Sequence, residues 1–158
     1  MKDEQIKDSF VQALNQLIAR HRYESHLPQV LGDMFDTSRL EEQAAACQAK
    51  IVELTEQIEA LIAENQQRAL DQDAYQAHYT ELDTAYRKTL ARKASLEADI
   101  AANTAKHAAI TTTLNDLTGE PVSEFHPAQW SALIDHAIVG EDTIRFVFRV
   151  GEVVRVQL

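Results

Sequence analysis

A long stretch without helix breakers dominates this sequence. The chain has 4 glycines and 3 prolines, and none of them lies between Gly32 and Gly119. Because glycine and proline interrupt helices more strongly than any other residues, residues 33–118 are expected to be almost entirely helical. So few glycines also disfavour the large α/β enzyme folds, which depend on many glycine turns.

Apolar residues within this stretch follow the spacing of a coiled coil, with steps of four and three residues. One seam begins beside Ser38 and Glu41, which match a capping box with Ser38 as the N-cap. It comprises Leu40, Ala44, Cys47, Ile51, Leu54, Ile58, Leu61 and Asn65. The second seam comprises Tyr75, Tyr79, Leu82, Tyr86, Thr89, Lys93, Leu96, Ile100, Asn103, His107, Ile110, Leu114 and Leu117.

A short polar turn separates the two seams. Asp71 is a good N-cap residue, and Leu70 before it is placed to pack on Tyr75 as a hydrophobic staple. Because so short a turn joins antiparallel helices, the two seams predict a helical hairpin. We expect the second helix to end at Thr118 and Gly119.

The flanking segments differ from the hairpin. A stripe at residues 6, 10, 14, 17 and 18 predicts an N-terminal helix, which Pro28 interrupts to leave an apolar connector. Pro127 begins a short predicted helix that extends through Trp130 to Ile134, and three β-rich stretches follow. In the longest stretch, Ile144, Phe146, Phe148 and Val150 share one face.

The sequence therefore predicts a mainly α protein: a long antiparallel coiled-coil helical hairpin with a short N-terminal helix and a small C-terminal helix plus β-hairpin. Its segments are residues 1–35, 36–118 and 119–158. Two or three strands and one small helix do not form a stable core alone. The rest of that core must either lie outside the chain or come from residues 1–35.

Charge and composition restrict the partners. The net charge is -10, which argues against an extensive nucleic-acid surface. Most of the acidic excess lies in residues 36–118, on helices that expose one charged face. With no apolar run of the roughly 18 residues a bilayer span needs and a single cysteine, Cys47, we expect a cytoplasmic protein with no membrane partner.

Catalytic motifs are not evident. Ser131, Asp135 and His136 are the residue types of a hydrolase triad, but no nucleophile-elbow glycines surround Ser131. None of the 6 histidines has Glu or Cys at metal-ligand spacing, and there is no glycine-rich phosphate loop. We expect no catalytic residue, no metal site and no cofactor in this chain, and hence no enzyme activity of its own.

Three stretches together resemble a known family. They are the opening Ile6 to Asn15, the segment from Leu70 to Tyr75 with Tyr79 and Leu82, and a tail with Phe125, Trp130, Leu133-Ile134-Asp135, Val139, Ile144-x-Phe146-x-Phe148 and Gly151. In this order they resemble the C-terminal region of large serine site-specific recombinases, the resolvase/invertase-related integrases of bacterial and phage mobile elements.

The resemblance implies a helical arm inserted near the end of a DNA-binding zinc-ribbon domain, with the tail strands returning to that domain. In the family, arms of different subunits touch near their tips and control synapsis, and a directionality factor can redirect them. The tip contact would here involve Leu70, Asp71 and Tyr75. The full-length parent would be a serine recombinase that cuts DNA through an N-terminal catalytic domain.

This chain departs from the family pattern in lacking the catalytic domain and the ribbon cysteines. No catalytic or metal residue is carried over, and zinc is expected only in the ribbon of the parent. The chain is then either an excised fragment or a truncated gene product, and DNA is contacted only through the parent's other domains.

Two questions remain open at the level of sequence. Arg145, Arg149 and Arg155 recur on the predicted hairpin, where they would either face DNA phosphates or, as we favour, lie in solvent and discourage edge pairing. The alternative to a recombinase arm is a free-standing coiled-coil adaptor or scaffold unrelated to DNA. An adaptor should close its own hydrophobic core, so the environment of the tail discriminates between the two.

Overall fold

The structure is a computed structural model that describes residues 3–21, 27–117 and 120–158. Within these residues the elements are α1 (Asp3–His21), α2 (Leu27–Met34), α3 (Ser38–Gln67), α4 (Gln72–Asp116), α5 (Pro127–Leu133), β1 (Ile134–Val139), β2 (Thr143–Phe148) and β3 (Val153–Gln157). They confirm the predicted fold class.

The chain divides into two compact units. The first combines Met1–Asp36 with Thr104–Leu158, and the second is Thr37–Asn103. Helix α4 contributes residues to both.

The tail of the first unit is an antiparallel sheet of three strands in the order β1-β2-β3. Ile144, Phe146, Phe148 and Val150 are all buried, as their alternation predicts. Phe146 lies opposite Ala137 on β1 and Val154 on β3. The predicted hairpin is thus extended by β1 into a three-stranded sheet.

The predicted end of the short helix is wrong by one residue. Helix α5 ends at Leu133, whereas Ile134 has an extended backbone and pairs with Phe148 in the sheet. Pairing with β2 supplies hydrogen bonds that the last residue of a two-turn helix would lack. The predicted start is confirmed, since α5 begins at Pro127.

Helix α1 covers the apolar face of the sheet. The ring of Phe10 is fully buried and lies 5.1 Å from the Trp130 ring, 5.7 Å from that of Phe125 and 6.1 Å from that of Phe146, between centroids. Leu14 is fully buried in the same cluster. Residues 1–35 therefore supply part of the tail's core, and Ile110 on α4, fully buried in the same cluster, supplies another part.

Polar contacts fix α1 to the segments around the sheet. The Asn15 side chain donates to the carbonyl of Val122 (2.9 Å) and accepts from its amide (2.7 Å). The Arg20 guanidinium lies 3.3 Å from both the Val153 carbonyl and the Glu152 carboxylate. These bonds tie α1 to the segment before α5 and to the start of β3.

The predicted apolar connector after α1 contains a second short helix, α2. Pro28 is the second residue of α2, where a helix needs no backbone donor and a fixed φ is favourable. Leu31 on this helix is 3% exposed in the core of the first unit. The predicted stop at Thr118 and Gly119 lies outside the described residues.

The second unit is the helical hairpin formed by α3 and the first part of α4. Helix α3 has 30 residues and is therefore about 45 Å long. Within 37–103, every predicted seam residue is buried or half-buried, and Leu54, Leu61 and Leu82 form its core cluster. The Arg92 guanidinium contacts the Gln43 side chain across the pair at 3.3 Å, as the antiparallel register requires.

The predicted N-cap of α3 is displaced by one residue. Thr37 is the N-cap, Ser38 is the first helical residue, and the Thr37 hydroxyl donates to the Glu41 carboxylate at 2.8 Å. The Thr37 carbonyl also accepts the first helical bond from the Glu41 amide. Threonine and serine are both suitable caps, and the sequence pattern did not separate these neighbours.

The packing of α1 on the sheet predicts a large effect of Phe10→Ala. Removing a buried aromatic ring costs about 3–5 kcal/mol of unfolding free energy, and here it also removes three edge-to-face ring contacts. Denaturant unfolding followed by the fluorescence of Trp130, the single tryptophan, measures the change. Leu90→Ala, at a residue 46% exposed, is the control, and equal losses in both variants would contradict this packing.

Candidate interaction surfaces

The turn between α3 and α4 is held by local hydrogen bonds. The Asp71 carboxylate accepts from the Ala74 amide at 3.0 Å, which confirms it as the N-cap of α4. The Gln72 side-chain amide donates to the Asn65 side chain (3.0 Å) and to the Leu70 carbonyl (2.9 Å). The hydrogen bond from Gln72 to Asn65, which we call the Gln72 clamp, joins α4 to α3 at the turn. The sequence pattern did not predict this bond.

Apolar side chains at this turn rest on the core of the hairpin. Leu70 and Tyr75 are half-buried, and both pack against the cluster of Leu54, Leu61 and Leu82. We call Leu70, Asp71 and Tyr75 the tip surface. Since the Asp71 carboxylate is used as a helix cap, the tip surface presents mainly an aliphatic side chain and a phenol, which suit contact with another protein.

A groove of about 270 Å³ lies beside the tip surface. It is lined by Gln57, Ala60, Leu61, Glu64 and His78. Arg68 forms an ion pair with Glu64 at its rim. Except for Leu61 these residues lie off the seam, so heptad analysis missed the groove; the small side chain of Ala60 beside the seam was the available signal.

The three arginines of the tail do not form one group. Arg145 on β2 and Arg155 on β3 lie directly opposite each other in the strand register and are exposed. Both point to the face of the sheet away from the buried row that includes Phe146. The structure therefore brings two of the three predicted residues together on one face.

Arg149 lies elsewhere, just after the end of β2. Its Nε donates to the Ile134 carbonyl at 3.0 Å, and its backbone amide donates to the Leu133 carbonyl at 2.8 Å. It thereby ties the start of β1 to the turn after β2, beside the bulge between Ile134 and His136.

The residues of the apparent hydrolase triad are in solvent. Asp135 Oδ2 lies 2.7 Å from His136 Nδ1, with the two side chains 58% and 53% exposed, and Ser131 is also exposed. The aspartate of a serine hydrolase triad is buried, so this pair has the environment of a surface contact. Across the described residues, His, Cys, Asp and Glu form no group of three or more that could hold a metal.

Comparison of the chain with protein-family models, curated proteins and solved structures finds no match. Among the described helices, none is long and apolar enough to cross a membrane.

The cap at the tip predicts a selective effect of Asp71→Ala. Loss of the bond to the Ala74 amide should lower the stability of the hairpin by about 0.5–2 kcal/mol. Thermal unfolding followed by far-ultraviolet circular dichroism measures it. Asp73→Ala removes an exposed carboxylate from the same helical turn without removing the cap, and an equal loss in that variant would show that Asp71 acts only through its charge.

The opposed arginines predict that Arg145→Thr stabilises the sheet. Like charges directly opposite on neighbouring strands are unfavourable, so their removal should raise the unfolding free energy by about 0.2–1 kcal/mol. The gain should shrink at high salt, which screens exposed charges. Arg145→Lys retains the charge and should show no such gain; a gain in both variants would exclude repulsion as the cause.

Proposed function

We propose that this chain is the C-terminal coiled-coil region of a serine site-specific recombinase and acts in DNA integration through protein-protein contacts that control synapsis and directionality. Its partners would be other recombinase subunits, met through the arm, and a directionality factor. The observation that carries the proposal is the tip surface, in which Leu70 and Tyr75 are held at a turn fixed by the Asp71 cap and by the hydrogen bond from Gln72 to Asn65. Such a turn offers a preorganised contact at low entropic cost.

The residues that carry the family resemblance support the proposal because they pack together. Phe10 from the opening segment contacts Phe125, Trp130 and Phe146 from the tail. Leu82 from the middle segment belongs to the hairpin core, against which Leu70 and Tyr75 pack. Several side chains of the resemblance therefore lie in the two cores, while others, such as Asp135 and Val139, are exposed.

The second candidate is a free-standing coiled-coil adaptor or scaffold. The observation that favours it is the packing of α1 on the tail's sheet, since an adaptor should bury the apolar face of its sheet with residues of its own chain. In both candidates the tip surface binds another protein. They differ in whether this contact controls recombination or assembles a complex unrelated to DNA.

Self-association of the chain tests the tip surface. If arms meet at their tips, the molecular mass measured by sedimentation should rise with concentration, and Leu70→Ser combined with Tyr75→Ser should weaken that association. Circular dichroism checks that the hairpin remains helical. Val52→Ser, at a residue 48% exposed on α3, is the control, and association that is unchanged in the tip variant would remove the tip from the proposal.

The recombinase context has its own test. The DNA upstream of the codon for Met1 is expected to encode a serine-nucleophile domain and a cysteine-rich ribbon. In that parent, the same tip variant should alter which attachment sites are brought into synapsis, whereas Val52→Ser should not. Unchanged synapsis and directionality, or upstream DNA that encodes neither domain, would favour the adaptor.

A further inference from the structure

Among the described residues, no element packs across the face of the sheet that points away from α1, and most of its side chains are exposed. We call it the outer face; its residues are His136, Ile138, Thr143, Arg145, Val147, Val153, Arg155 and Gln157. Ile138 is 42% exposed and Val153 is 43% exposed. Arg145 lies between Ile138 and Arg155 in the register, and in the next row of this face Val147 lies opposite Val153, so a pair of arginines lies beside aliphatic side chains.

The charge on the outer face is of one sign. Among its eight described residues, the side chains with a permanent charge are Arg145 and Arg155, although the chain as a whole carries a net charge of -10. Edge protection does not account for Arg145, because β2 is the central strand and has no free edge. Repulsion between the two opposed arginines lowers the stability of the sheet when nothing is bound. A carboxylate bound between them would replace this repulsion with attraction.

The outer face continues into a groove of about 280 Å³ through Val147. The groove is lined by Met34, Phe35, Lys106, Asp135, Val147, Phe148, Arg149 and Gly151. Met34 is 48% exposed, and Lys106 and Arg149 add positive charge. The one carboxylate of this lining, Asp135, lies against His136. The aliphatic surface thus extends from the sheet into a groove with a cationic rim.

We propose that the outer face and this groove bind an acidic amphipathic segment of a partner protein. Its carboxylates would bridge Arg145 and Arg155, and its apolar side chains would cover Ile138, Val153 and the groove. Interfaces between proteins combine an apolar centre with arginine in this way. A DNA backbone would satisfy the arginines but would leave the aliphatic residues uncovered, since protein-DNA interfaces are more polar and far more basic.

Titration with defined probes tests this surface independently of the tip. The isotope-labelled full chain is titrated with a synthetic helical peptide of glutamates and leucines, with the same peptide carrying glutamine for glutamate, and with duplex DNA at the same ionic strength. Nuclear magnetic resonance maps the binding site and gives the dissociation constants. The variants are Arg145→Thr with Arg155→Thr and, as a control of equal charge change in the other unit, Arg39→Gln with Lys88→Gln.

The acidic peptide should shift signals of β1, β2 and β3, and its dissociation constant should rise about tenfold in the sheet variant. The control variant and the wild type should bind it equally, and the glutamine peptide should bind more weakly. The proposal is overturned if the acidic peptide does not bind, if the two peptides bind equally, or if the two variants lose the same affinity. It is also overturned if duplex DNA binds more tightly than the acidic peptide and the sheet variant loses this DNA binding. Thermal unfolding of each variant shows that it is folded.

Discussion

The burial of one face of α1 against the sheet is the interaction on which the first unit depends. Three strands and a seven-residue helix bury too little apolar surface to be stable alone. Phe10 inserts its ring among Phe125, Trp130 and Phe146, and Asn15 fixes the segment before α5 through the Val122 backbone. Residues far apart in sequence therefore form one core, and in the described part of the chain most side chains of the opposite face of the sheet are exposed.

The hairpin is stabilised in a different way. Its apolar residues are local and periodic, so each turn of α3 finds a partner on α4 through a repeated pattern rather than through one central ring. The turn depends on finer chemistry, because Asp71 must cap α4 while Gln72 reaches back to Asn65. This bracing presents Leu70 and Tyr75 on a defined backbone, which is the property a docking surface needs.

Charge is distributed unevenly over these elements. The net charge of -10 describes mainly the polar positions of the long helices, whereas the outer face of the sheet carries two opposed arginines. The net charge of the chain therefore predicts the charge of neither the tip surface nor the outer face. The tip surface is apolar and phenolic, and the outer face is aliphatic and cationic, so the two would select partners of different chemistry.

The sequence by itself determined the elements whose signals are local. Within 37–103 the heptad spacing identified the buried and half-buried positions, whereas Ile110, Leu114 and Leu117 of the predicted second seam pack in the core of the first unit. Asp71 marked the start of α4, and alternation identified the buried face of β2. Its two errors were also local, because serine and threonine are both suitable caps at positions 38 and 37, and Ile134 suits either a helix end or a strand. The tertiary structure alone decided that α1 covers the sheet, that Arg145 lies opposite Arg155, and that Arg149 is bound to the Ile134 carbonyl. These depend on strand register and on contacts between residues more than a hundred positions apart, for which a single sequence carries no periodic signal.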